Sequence, residues 1–362
     1  MKKISIAVII IMTFIVSTII VNANTKDSIK ENEELNYEYV TEFEDGGKDY
    51  VYIIDGIKNH CYVTPEGFNP LNATDEQLAR YCYPPRPETQ KEMAEWLKMV
   101  SGSDSTTLRR TNTSEPCIAI IEVQEEKIKA MDYARATALT TNYTMGSDTD
   151  AGYASYVYGT LECSQVQMNY THPQVSSFSG IYQNRYSVGL GDLDGAKMVQ
   201  AGTATYTGND NFAWYRYKNY YGDPAVARLD LTVNPGDSIH LYISFEKENN
   251  RFTYYIANNT TGHSVSGSAD ISASTYYNGA CASWLVSRGA TQSGPLNIAN
   301  YGTFTPSVCQ YKVLNGSNWN NLNSADELVK IVMRNGITGN VISSTSSIFG
   351  GTCFTCTWQA YN

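Results

Sequence analysis

Asn234-Pro235-Gly236-Asp237-Ser238-Ile239-His240-Leu241-Tyr242-Ile243-Ser244-Phe245-Glu246 is the stretch from which the fold is read. Asn-Pro-Gly-Asp is a turn, and after it Ile239, Leu241, Ile243 and Phe245 alternate with His240, Tyr242, Ser244 and Glu246, the period of a half-buried strand. Glu248-Asn249-Asn250-Arg251 turns the chain into a second alternating run with Phe252, Tyr254 and Ile256 on one side. Asn258-Asn259-Thr260-Thr261-Gly262 turns it again into the segment His263 to Ala269. This is an antiparallel meander with one buried face, the unit of a β-sandwich.

Working outward, composition agrees. Charged residues make up only 17% of the 362 residues, while 28 Tyr and 27 Gly suit strands joined by polar turns. A net charge of −10 without clustered Lys and Arg excludes a nucleic-acid surface. The four histidines, His60, His172, His240 and His263, are scattered without metal spacing, and neither a metal nor a cofactor is expected.

Met1-Lys2-Lys3, the apolar run Ile4 to Val21 and the small residue Ala23 read as a secretory signal over residues 1–23. No later segment is apolar enough for a membrane helix, so a secreted monomer without membrane insertion after cleavage is expected. Eight cysteines in an exported chain imply disulfides, with Cys309 to Cys353 or Cys356 the favoured bridge.

Residues 24–150 read as a leader. Tyr50-Val51-Tyr52-Ile53-Ile54 is a strand ending at Asp55-Gly56. Thr74 with Gln77 forms a capping box for a short helix that stops before Pro84-Pro85-Arg86-Pro87. Met93, Trp96, Leu97 and Val100 then mark one apolar face of a second helix. The polar loop from Ser101 to Asn112, which includes Arg109-Arg110, and the Asp- and Gly-rich loop from Gly146 to Gly152 each suit a boundary or a processing site, although a dibasic pair is usually just solvated. Residues 151–362 read as the sandwich domain.

Within that domain, Met198-Val199-Gln200-Ala201-Gly202-Thr203 and Ala213-Trp214-Tyr215-Arg216-Tyr217 suggest an amide held beside aromatic rings in a cleft. With Phe68 to Pro70, the Pro84-Pro85-Arg86-Pro87 elbow, Val188-Gly189-Leu190, Pro235-Gly236-Asp237, Asn259-Thr260-Thr261-Gly262, Ala282-Ser283-Trp284-Leu285-Val286 and Ala299-Asn300-Tyr301-Gly302-Thr303, they resemble, in order, motifs of the glutamic peptidases (eqolisins). The likeness covers nearly the whole chain after the signal and looks most like the bacterial branch with a leader.

The resemblance implies a concanavalin-like sandwich of two curved antiparallel sheets, preceded by a small helical or mixed pro-segment. It also implies a secreted acid endopeptidase in which a glutamate carboxylate activates water and a glutamine amide donates to the oxyanion. Gln200 falls on that glutamine. Ser283 stands at the position of the glutamate, Arg216 and Ser287 replace two further acids, and Ser187 replaces a tryptophan. Without a general base, a factor of about 10² to 10⁴ in rate is lost.

Asp192, Asp194 and Asp210 lie near Gln200 in sequence and are candidate substitutes for the missing acid. Trp214, Tyr215, Tyr217, Trp284 and Asp192 are the expected substrate contacts. The ligand is then a polypeptide, cleaved or merely held, or a glycan on the same aromatic surface. A purely structural surface protein would not need Gln200 in the cleft.

Overall fold

The computed structural model describes residues 33–34, 36–54, 56–101, 110–111, 119–121, 143–157, 162–176, 178–191, 198–218, 226–271, 279–291 and 294–360. The expected signal, Asp192, Asp194 and Cys117 lie outside them. Among the described residues the strands form a thirteen-stranded and a ten-stranded sheet, nearly all pairings antiparallel, packed as a curved sandwich. No described helix is long and apolar enough to cross a membrane.

The meander forms as its alternation dictates. Ser238–Glu246, Arg251–Asn258 and His263–Asp270 pair in register in the second sheet. Ile239, Leu241, Ile243, Phe252, Tyr254 and Ile256 enter the core between the sheets. The other face is not solvated as the pattern suggested. Tyr242, Tyr255 and Ala257 on it pack against Leu78, Tyr81, Tyr83, Trp96 and Val100 of the helical module. Polar spacing alone could not show that a later layer covers this face.

The helical module forms as the sequence predicts, with one adjustment. Helix Asp75–Arg80 is closed by the capping box, Gln77 N donating to Thr74 Oγ1 at 3.2 Å and Thr74 N to Gln77 Oε1 at 3.0 Å. Helix Gln90–Ser101 buries Trp96, Met99 and Val100 but leaves Leu97 exposed, so its inward face is rotated from the expected one. Trp96 Nε1 donates to the Pro84 carbonyl at 2.8 Å and fixes the helix to the proline elbow.

The segment that reads as a leader is built into the sandwich. Lys48–Ile54 and Ile57–Val63 form a hairpin whose second strand pairs with His263–Asp270, extending the second sheet. Tyr50, Tyr52, Ile54, Cys61 and Val63 lie in the inter-sheet core. At the seam His60 Nδ1 meets Asp49 Oδ2 at 2.8 Å and Nε2 meets Asp270 Oδ2 at 3.2 Å. Burial works to raise the Asp270 carboxyl, but Arg251, donating from Nε at 2.7 Å, together with His60 holds it below its ordinary range. Tyr143–Ser147, just before residue 151, pairs parallel with Glu327–Arg334 in the first sheet.

The expected bridge at Cys309 is not formed. Cys309, Cys353 and Cys356 are neighbouring thiols; burial pushes Cys309 well up and Cys356 to about 12, so these two behave as small buried apolar side chains.

His172 gives the fold a defined acid response. Its ring meets Thr203 Oγ1 at 2.8 Å and Thr205 Oγ1 at 3.1 Å, and burial lowers its pKa from 6.5 to about 4. The unfolded chain binds this proton at higher pH than the folded chain, so the stability held by neutral His172 is complete above about 6.5 and is lost as pH falls toward 4. The loss is on the order of 3 kcal/mol. Denaturant midpoints measured between these pH values should fall for the unaltered protein and stay flatter for His172→Gln.

Candidate functional site

Gln200 lies on strand Met198–Tyr206, Ser283 on Cys281–Ser287, and strand Gln183–Gly191 runs between them. The register pairs Gly189 with Gln200 on one side and with Ser283 on the other. Extended across the sheet, the row reads Arg216, Gln200, Gly189, Ser283, Ala154, Val329. A Cβ added at Gly189 would stand 2.8 Å from Ser283 Oγ and 3.2 Å from Gln200 Cγ. The missing side chain is what lets the two polar groups approach across an intervening strand.

Strand alternation sends this row to the outer face of the first sheet, because Val199, Ala201, Val188 and Leu190 enter the inter-sheet core. The face is closed to solvent in the intact chain: Gln200 is 4% and Ser283 2% exposed. Arg216 Nε donates to Gln200 Oε1 at 2.8 Å. A guanidinium can only donate, so it fixes the amide orientation and leaves the Gln200 NH₂ to donate away from the arginine. Ser283 Oγ, Ser187 Oγ and Trp214 Nε1 are buried on the same face and have no hydrogen-bond partner. Arg185 and Arg216 both stand over the Trp214 ring, at 5.8 and 6.0 Å from its centroid.

The site therefore presents donors, an amide, two hydroxyls and an indole N–H, while Arg216 is engaged by Gln200 and Arg185 by Gln183 Oε1 and the Tyr206 hydroxyl. It has no carboxylate in the Gln200 row. Asp150 lies on the same face opposite Ser287, which donates to it at 2.6 Å, while Thr149 Oγ1 donates at 2.7 Å. Ser287 is four positions along the strand from Ser283, about 13 Å, too far for Asp150 to deprotonate a water at the serine. Asp210 is held by Arg228 in a two-bond ion pair at 2.6 and 2.9 Å at the exposed start of strand Asp210–Lys218, and does not serve the site.

Three expected substrate contacts belong elsewhere. Tyr215, Tyr217 and Trp284 sit one position out of phase with Arg216 and Ser283, so they point into the inter-sheet core. Tyr215 donates to Asn59 Oδ1 at 2.5 Å and stacks on Tyr254 at 4.4 Å, and Trp284 Nε1 donates to the Gln167 carbonyl at 2.8 Å. Of the expected aromatic contacts only Trp214 shares the face of Gln200. The pairing of Arg216 with Gln200 was missed, although Thr207-Gly208-Asn209 turns the chain tightly enough to fix that register. Among the described residues no group of His, Cys, Asp and Glu side chains is arranged to hold a metal ion.

The peptidase A4 family model matches residues 143–358, more than half of the chain, and the protein belongs to that family. By family it is a hydrolase of the peptidase type. Scytalido-glutamic peptidase, solved with a peptide-based transition state analog, is similar at 17% identity over 59% of this chain and 99% of its own, with a TM-score of 0.47. Aspergilloglutamic peptidase from Aspergillus niger is similar at 24% identity over 49% of this chain and 99% of its own, with a TM-score of 0.41. No curated protein matches the chain in sequence.

Gly189→Ala tests the close approach at the row. The added methyl must push Ser283 and Gln200 apart, at a cost of about 1–3 kcal/mol. Thermal unfolding should shift down accordingly, whereas an unchanged midpoint would mean the two side chains move aside freely.

Proposed function

We propose that the protein is an exported member of the peptidase A4 family that holds a polypeptide on the Gln200 face and has given up general-base hydrolysis at Ser283. The observation that supports this is the cross-strand row Arg216, Gln200, Gly189, Ser283, Ala154, which keeps an amide donor and offers no carboxylate. The Gln200 NH₂ and the Ser283 hydroxyl both donate, so together they suit the carbonyl oxygens of an extended chain. A serine hydroxyl has no proton-accepting form in the acid range, and water bound beside it stays unactivated. Trp214, with its unpartnered Nε1, supplies an apolar plate and a further donor.

Binding requires an opening step, because the face is shut in the intact chain. Residues 39–63 and the two helices are part of the second sheet and its outer layer, so a cut between Ser101 and Tyr143 leaves them packed in place. Arg109-Arg110 lies within that interval. Export itself rests on the basic and apolar start of the chain, and the mass of the protein recovered outside the cell checks it.

The decisive assay follows cleavage of an unfolded protein between about pH 3 and 6, spanning the ordinary glutamate range near 4.3. The unaltered chain, Ser283→Glu and Ser283→Glu with Gln200→Ala are compared, each intact and after limited proteolysis. Silence in the unaltered chain, cleavage gained by Ser283→Glu, and its loss by a factor of about 10² or more without the Gln200 amide are expected. Cleavage by the unaltered chain that depends on Gln200 would sink the non-hydrolytic reading and show that another base serves the site.

A further inference from the structure

A cavity of about 520 Å³ opens on the other side of the sandwich, between the helical module and the outer face of the second sheet. Its size falls within the roughly 300–1,000 Å³ of small-ligand clefts. Its walls come from parts of the chain that are far apart in sequence, the proline elbow with Trp96, the strands carrying Gln167 and Gln310, and the loop carrying Trp319.

The floor is a chain of amides. Gln167 Nε2 donates to Gln310 Oε1 at 2.8 Å, and Gln310 Nε2 donates to Asn321 Oδ1 at 3.0 Å. The relay leaves Gln167 Oε1 at its head, buried and without a donor, on a residue only 3% exposed. A buried acceptor left unmatched is unfavourable, and an O–H or N–H from an occupant would relieve it. The walls are apolar where Trp96, Trp319 and the prolines stand. Trp96 spends its N–H on the Pro84 carbonyl, is 2% exposed and carries Arg86 over its ring at 5.4 Å, so it closes the wall and leaves Trp319 as the indole at the cavity.

Charge balance and strand pairing choose the chemistry. Arg86 and Lys312 are matched by Glu88 and Glu92 among the lining residues, so the cavity favours an uncharged ligand. The backbone is not available for strand addition: Cys163–Thr171, which carries Gln167, is paired on one side with Ser238–Glu246 and on the other with Ser307–Val313. Recognition therefore runs through side-chain amides and aromatic rings. Ring hydroxyls, each both donor and acceptor, match an amide relay that lacks one donor, and the C–H faces of a sugar ring match indole.

We infer that this cavity is a binding site for an uncharged saccharide, separate from the Gln200 face and independent of whether that face is catalytic. A sugar hydroxyl donates to Gln167 Oε1, and the exposed end of the relay at Asn321 reaches the next unit. Because Pro84 to Met99 form one wall, the site exists only while the helical module stays packed on the sheet.

The test titrates the full chain with cellotetraose, maltotetraose and chitotetraose, following tryptophan fluorescence and calorimetry up to about 10 mM. At least one is expected to saturate with a dissociation constant below about 1 mM, about −4 kcal/mol. Gln310→Ala and Trp319→Ala, both at partly exposed positions, should each weaken it at least tenfold with far-UV circular dichroism unchanged. Ser283→Ala should leave it unaltered. No saturation by any of the three sugars, affinity unchanged in both variants, or binding of an extended decapeptide in place of the sugars with the same dependence on Trp319, would each overturn the assignment.

Discussion

Two side chains on strands that are not neighbours can meet only if the strand between them has nothing at the crossing. Gly189 satisfies that condition, and the site follows from it. The register that aligns Gln200, Gly189 and Ser283 is held by long antiparallel ladders on both sides of the central strand. A slip by one residue would carry Gln200 into the apolar core and bring Val199 or Ala201 out. The apolar residues on the inward face therefore fix the chemistry on the outward one.

The layering extends this dependence through the molecule. From the closed site face inward come the first sheet, a core rich in tyrosine and aliphatic side chains, the second sheet, and a helical layer. The helical layer covers the outer face of the second sheet, and the site face of the first is closed to solvent. Polar groups on the hidden faces consequently need partners, and most have them: His172 with two threonines, Tyr215 with Asn59, Trp284 with the Gln167 carbonyl. The unmatched ones stand out physically. Among them, Ser187, Ser283 and Trp214 share the outer face of the first sheet, and Gln167 lies at the amide-lined cavity.

Much of the fold was legible because turns and alternation are local. Asn234 to Asp237 and the alternation after it specified the meander, and Thr74 with Gln77 specified a helix start, as found. The order of motifs pointed to the family that the match to residues 143–358 establishes. The faces were less legible. Treating Trp214, Tyr215 and Tyr217 as one aromatic lining ignored the two-residue period that had been used to find the strands, and the same oversight placed Trp284 beside Ser283. The depth of the helices, the rotation that exposes Leu97 and the joining of Ile57–Val63 to His263–Asp270 depend on contacts distant in sequence, which no local pattern encodes.

That last joint bears on how the molecule comes into being. His60 and Asp270 are 210 residues apart, yet they meet across adjoining strands. Synthesis proceeds from the amino terminus, so the hairpin around Gly56 emerges long before the strand it must rest on exists. Through that interval it carries an open ladder edge and a row of tyrosines without a core. Closing so long a loop is slow compared with forming the meander itself. The nascent protein must therefore wait with one edge of an early hairpin open until the strand His263–Asp270 has been made.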